Sequence, residues 1–253
     1  MNSAEAASSI VSDFLGPDWP DRVKAETDTQ LRSDFRLNHL AHSCKAFESS
    51  VGFDEFIEKL RSRRVLQAVS EFFAAGSFHQ AGFEVEFNHG TKRGEDYDLL
   101  AKSPHFSVAV EVKTAGLESE PRLDFLQTLK NRVKEAPSQL PKGGVNAVFV
   151  LVPEDVIAVE SVAWAVKRAI VDDALRQTTR IHAVAFGCER IDHDTQRYGL
   201  SNTAFPHTGS NDVHLGKQIA YLLRRVPTQR VGLDFGVMQR LNLREEMQRM
   251  PRF

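Results

Sequence analysis

From Phe53 onward, apolar positions recur at helical spacing. Phe56, Leu60, Leu66, Val69 and Phe73 fall near one face of a helix that Gly82 is placed to stop. The period then switches. FEVEF (83–87) alternates apolar and acidic residues like a half-exposed strand, and NHGTKRG (88–94) is a turn. EDYDLLA (95–101) forms a second strand and, after a turn at KSPH, FSVAVEVKT (106–114) is the clearest strand in the chain. Three strands in succession predict an antiparallel meander. Helical spacing returns at Leu123, Leu126, Leu129, Val133, Ala136 and Leu140, with Pro137 placed to kink or interrupt the last turn. VNAVFVLVP (145–153) is a continuous apolar run, as a strand buried on both faces requires. Val159, Val162, Val166, Ile170 and Ala174 mark a further amphipathic helix, and IHAVAFG (181–187) another buried strand. The strand–helix–strand crossover implies parallel pairing, so the fold class is α/β: a mixed sheet with helices on both faces.

Outside this stretch the pattern weakens. Residues 1–52 are polar with scattered apolar positions (Ile10, Val11, Phe14, Leu31, Phe35, Leu37, Leu40), read as short helices around a turn at GPDWPD. Beyond Gly187, ERIDHDTQRYGLSNTAFPHTGSND reads as loop, HLGKQIAYLLRRV as a helix and DFGVMQRLNLREEMQRM as another. The expected organisation is a helical N-terminal extension (1–52), an α/β core (53–187) and a loop-and-helix C-terminal extension (188–253).

Composition narrows the function classes. With 42% hydrophobic and 26% charged residues among 253, the chain can bury a sizeable core and is neither disordered nor fibrous. A formal net charge of −2 excludes polyanion binding by bulk electrostatics, so a nucleic acid would need a local basic patch. No apolar run approaches the ~18 residues of a membrane span, and the first residues carry neither a basic leader nor an apolar stretch. The expected location is the cytoplasm, without membrane association. Two cysteines, Cys44 and Cys188, are too few for a disulfide framework or a four-cysteine zinc site.

The sharpest chemistry lies in the meander. Strand alternation puts Ala109, Glu111 and Lys113 on one face of the third strand, and Val108, Val110 and Val112 on the other. The preceding strand brings Asp98, and Asp96 two positions earlier, alongside. Two carboxylates and an ammonium on one side of a sheet suit metal-dependent phosphodiester hydrolysis. Asp98 and Glu111 are hard oxygen ligands for Mg²⁺, with Mn²⁺ as an alternative ion and the Val112 carbonyl as a further ligand. Lys113 would serve the attacking water or the charge developing on phosphate.

Asp98 followed after 12 residues by Glu111-x-Lys113, within this element order, resembles the PD-(D/E)XK nuclease superfamily with its restriction-endonuclease-like fold. The likeness spans roughly 53–187. It implies a Mg²⁺-dependent endonuclease acting on nucleic acid, DNA ahead of RNA, in restriction, defence or repair, and it brings in a homodimer because many members cut two strands with two subunits. Members commonly carry a metal-proximal Glu on the helix before the first strand, to which Glu71 corresponds, and some carry a polar residue on the following helix, to which Gln139 corresponds. The proline that often precedes the family's Asp is missing here, and Pro137 interrupts the helix that should bear Gln139.

Each of these residues has a plainer reading. A Glu-x-Lys triplet is most often a solvated charge pair, Asp96 suits a turn, and Glu71 lies off the Leu66/Val69/Phe73 stripe, where a solvated helix face competes with a metal role. His39, His42 and Cys44 offer an incomplete zinc set whose alternative is ordinary helix-surface histidines. Basic clusters at Arg61/Arg63/Arg64, at Lys130/Arg132/Lys134, and in the tail after Leu222, where seven arginines face three acids, could contact phosphates or simply be solvated. The alternative function is an inactive domain of the same fold, serving as a nucleic-acid- or protein-binding scaffold.

Overall fold

A computed structural model describes residues 3–88, 96–115, 122–152, 160–192, 197–226 and 229–231; within these, the side chains at the starts of α1, α6, α7 and β6, at the end of β5 and throughout β7 are not described. The N-terminal residues form three helices, α1 (Ser3–Leu15), α2 (Trp19–Ala25) and α3 (Gln30–Phe47). The GPDWPD turn is shorter than its composition implies. Pro20 falls in the first turn of α2, where its missing N–H has no intrahelical partner to lose.

The single helix expected from Phe53 is two: α4 (Phe53–Arg61) and α5 (Val65–Gln80). Tertiary contacts make the break. Arg22 donates to the carbonyls of Arg61 and Arg63, and Glu26 Oε2 accepts from the Val65 N–H at 3.0 Å, satisfying groups that a continuous helix would have paired internally. Locally, Ser62 Oγ donates to the Lys59 carbonyl at 3.0 Å and Gln67 Oε1 accepts from Arg64 N at 3.2 Å. Gly82 stops α5 as expected, with φ 96°, while Phe83 N donates to Phe78 O at 3.0 Å.

The strands are β1 (Glu84–Phe87), β2 (Leu99–Lys102), β3 (Ser107–Thr114), β4 (Val145–Val152), β5 (Ala183–Asp192), β6 (Arg197–Pro206) and β7 (Gln229–Val231). They form one seven-stranded sheet in sequence order. β1, β2 and β3 pair antiparallel as a meander, β3–β4–β5 are parallel, and β5–β6–β7 are antiparallel. α6 (Arg122–Glu135) leads to β4 and α7 (Glu160–Ala174) crosses from β4 to β5, while α8 (Val213–Arg225) follows β6. The mixed α/β sheet with flanking helices is thus present. The segment from Arg197 to Pro206, expected as loop, is instead a strand. β5 runs on to Asp192 and pairs with it, so the sheet continues past Gly187.

Alternation along the central strands divides the core in two. Val108, Val110, Val112, Ala147, Phe149 and Leu151 pack under α1–α5 and α8, and Ala109, Val148, Val150, Val152, Val184 and Phe186 pack under α6 and α7. Gly187 allows the first layer to close, since a Cβ there would lie 2.5 Å from the Phe73 ring and 2.7 Å from that of Phe149. The last helix expected, from Asp234 onward, lies outside the described residues.

Candidate active site

β2 and β3 stay paired only as far as Leu99 opposite Val110, whereas β3 continues to Thr114 against β4. Residues 111–114 therefore have an open edge on the β2 side, and Asp98, the residue just before β2, fills it. Asp98 N donates to Val110 O at 3.0 Å, and its Oδ2 accepts the Val112 N–H at 2.8 Å. A strand residue's N–H and C=O leave on the same edge, so the Val112 carbonyl faces the same opening.

The side chains converge as the alternation requires. Lys113 Nζ lies 2.6 Å from Glu111 Oε1 and also donates to Gln139 Oε1. Gln139 arrives despite Pro137: α6 ends at Glu135, a 3₁₀ turn covers Ala136–Ser138, and Gln139 follows directly. Its carbonyl accepts from Asp96 N at 3.0 Å, which ties it to the segment leading into Asp98. Asp96 itself is exposed and contributes backbone only.

Glu71 is not on a solvated face. It is 6% exposed, and Ser70 beside it shares a hydrogen bond of 2.9 Å with Thr114, which docks α5 on the end of β3. Burial, then the nearby charge of Asp98, push Glu71 up to about 7, opposed by Lys59, Arg63 and Lys113. The same two causes push Glu111 up to about 8, opposed by Lys113 and Lys59.

Lys59 carries no signal in the sequence that marks it, and it belongs to this cluster. Its Nζ is 3.0 Å from Asp98 Oδ1. Burial lowers its ammonium, but the carboxylates of Asp98 and Glu71 outweigh that and hold it above its ordinary value. In one continuous helix Lys59 and Glu71 would stand about 18 Å apart along the axis. The break between α4 and α5 brings both to Asp98.

Two further observations bear on a metal. Glu71 Oε2 and Glu111 Oε2 are buried without a hydrogen-bond partner, the carboxylate oxygens in that state among the described residues. Also among the described residues, no three His, Cys, Asp or Glu side chains form a ready-made cage. A small hard cation that keeps several waters and shares a phosphate needs only one or two carboxylates, and Asp98 and Glu111 with the Val112 carbonyl suit that demand.

The other sequence candidates fall away from this place. His39 is buried, stacked on Phe35 at 5.9 Å, and lowered to about 3 by burial first and then by His42; it is a core residue, not a helix-surface histidine. Burial pushes the Cys44 thiol up to about 12. Lys130 pairs with Asp173, Arg132 with Glu135 at 3.6 Å and Arg61 with Glu58 at 2.5 Å, so these basic positions are engaged locally. The tail arginines from Arg240 onward lie outside the described residues. No helix among the described residues is long and apolar enough to cross a membrane.

No protein-family model matches the chain, and no curated protein matches it significantly.

Proposed function

We propose that the protein is a Mg²⁺-dependent nuclease with a restriction-endonuclease-like core, hydrolysing phosphodiester bonds in DNA. The observation that carries this reading is the buried cluster of Glu71, Asp98 and Glu111 with Lys59 and Lys113, in which two carboxylate oxygens lack a hydrogen-bond partner among the described residues. Buried carboxylates are ordinarily satisfied, and an oxygen left open beside other carboxylates is what a cation would complete. The order helix, antiparallel meander, helix, parallel strand, helix, parallel strand supports the family resemblance independently.

Asp98, Glu111 and the Val112 carbonyl are the groups that would hold the ion. When bound, Mg²⁺ supplies a lowered pKa for a water and neutralises charge developing on the phosphate oxygens. Lys113 is fixed from two sides by Glu111 and Gln139, so its ammonium can orient the attacking water without reorganising. Glu71, buried against Asp98, adds negative charge on the α5 side and a further acceptor for a water.

The scaffold reading draws on one observation, that Lys59 and Lys113 already neutralise part of the cluster. A single experiment decides between the two: incubate the purified chain with supercoiled and linear duplex DNA, single strands, branched junctions and RNA, under Mg²⁺, Mn²⁺ or EDTA. Cutting that requires the metal and disappears in both Asp98→Ala and Lys113→Ala is the expected result. A folded protein that cuts nothing and binds no divalent ion would overturn the proposal.

A further inference from the structure

Both oxygens of Asp98 are engaged. Oδ2 is held by the Val112 N–H at 2.8 Å, a backbone contact that β3 fixes, and Oδ1 by the Lys59 ammonium at 3.0 Å. Mg²⁺ needs direct oxygen contact at about 2.0–2.1 Å. A metal reaching Asp98 from the open side therefore meets a positive charge already in place on that oxygen.

The two lysines of the cluster differ in how they are held. Lys113 is 17% exposed and donates to both Glu111 and Gln139. Lys59 is 29% exposed, and Asp98 is its one side-chain hydrogen-bond partner among the described residues. Its flexible four-carbon stem projects from the last turn of a short helix, with solvent to swing into. One ammonium is fixed and the other releasable.

Resting on the metal-dependent reading above, we infer that Lys59 is a tethered counter-ion of Asp98 that competes with the divalent cation, setting how readily the site takes up metal. It is a positioning residue and makes no contact with reacting atoms. Its role is to hold the Asp98 carboxylate in place while metal is scarce, and to raise the metal concentration at which the site fills.

The test is calorimetric titration of Mn²⁺ into the full chain without nucleic acid, followed in parallel by the shift in melting temperature. The proteins are wild type, Lys59→Met, Lys59→Gln, Lys59→Arg and Asp98→Ala. Removing the competing charge tightens Mn²⁺ binding about fivefold in Lys59→Met and Lys59→Gln. Lys59→Arg, which keeps the charge, binds no more tightly than wild type, and Asp98→Ala loses the site. Mn²⁺ binding that is lost in Asp98→Ala yet unchanged or weakened in both neutral variants overturns the competition and leaves the metal reading standing. Equal binding by wild type and Asp98→Ala, or none by either, overturns the metal reading and the inference with it. Two neutral variants of different shape guard against one that folds poorly, which the melting curve without metal reveals.

Discussion

Two buried charge clusters join helices to the sheet, and they are finished differently. Arg36 on α3 meets Glu189 on β5 fork to fork, Nε to Oε1 at 3.2 Å and Nη2 to Oε2 at 3.0 Å, while Nη1 donates to Thr27 Oγ1 at 3.1 Å. One cation faces one anion and both carboxylate oxygens are used. In the other cluster Glu71, Asp98 and Glu111 lie among Lys59, Lys113 and the charge of Arg63, and an oxygen of each glutamate has no hydrogen-bond partner among the described residues. Burial is nearly equal, Glu189 being 1% exposed and Glu111 2%. Equal burial therefore goes with two different finishes, one carboxylate with both oxygens hydrogen-bonded and one with an oxygen open. A closed pair anchors α3 to β5; the other cluster keeps two carboxylate oxygens without a hydrogen bond among the described residues.

The comparison is broken most strongly from the closed side. Arg36→Ala leaves Glu189 charged and buried, which costs roughly 3–5 kcal/mol, read as a lower denaturant midpoint at unchanged slope. Cleavage per folded molecule stays at the wild-type level. Replacing both partners, Arg36→Met with Glu189→Met, recovers most of that stability because no unpaired charge remains. Next in size is the open side. Asp98→Ala and Lys113→Ala lower the cleavage rate about 10²–10³-fold or more, while the metal-free protein loses at Asp98 only about the 1–3 kcal/mol of one buried N–H left unpaired, that of Val112. Stability loss at Asp98 as large as at Arg36 would make the open cluster a structural pair like the other.

Much of the open cluster was legible because it is local. Glu111 and Lys113 stand two apart on β3 and so share a face by backbone geometry alone, and β4 announces itself by the apolar run from Ala147 to Val152. Glu71 was ambiguous for a physical reason. Of the 16 residues in α5, 13 are buried, so the helix has no solvent face against which a stripe can be read. Lys59 was invisible because its position depends on Arg22 and Glu26 ending one helix and starting the next, contacts some 40 residues away in sequence. β6 was misread because RYGLSNTAFP is polar and glycine-containing. Its strand conformation comes from ten backbone pairings with β5 rather than from its own propensity. Arg36 and Glu189 stand 153 residues apart, and no spacing rule reaches that far.

The open cluster also predicts a pH dependence that the closed one does not supply. Glu111 rises from 4.5 unfolded to about 8 folded, so between those values the native state holds a proton that the unfolded chain has lost. Stability of the metal-free protein then falls as pH increases through that window, and is fully retained only below it. Glu111→Gln removes the share of this slope that lies near pH 8, leaving the part that Glu71 supplies below about 7, and raises the melting temperature at pH 8, roughly 2–4 °C for each kcal/mol recovered. Saturating Mg²⁺ flattens the wild-type slope as well, since a cation on the carboxylate favours its ionised form. Scanning melting temperature from pH 5 to 9 for both proteins, with Mg²⁺ or EDTA, checks all three, and a wild-type slope of the opposite sign in EDTA would remove the case for an unsatisfied Glu111.

The smallest effect is at Gln139. Its side chain contributes one hydrogen bond to Lys113, whose other partner, Glu111, remains when Gln139 is cut back. Gln139→Ala therefore loosens the ammonium without freeing it. One neutral-to-charged hydrogen bond of this kind corresponds to about 1.5 kcal/mol, or roughly tenfold in kcat. The backbone bond from Asp96 N to Gln139 O survives the substitution, so the loop before Asp98 stays in place and substrate affinity changes little. Gln139→Glu sharpens the distinction, because it keeps the acceptor and adds a charge. If Gln139 acts by holding Lys113, kcat in Gln139→Glu stays nearer to wild type than in Gln139→Ala. A rise in KM with unchanged kcat in both would place Gln139 on the substrate instead of on the lysine.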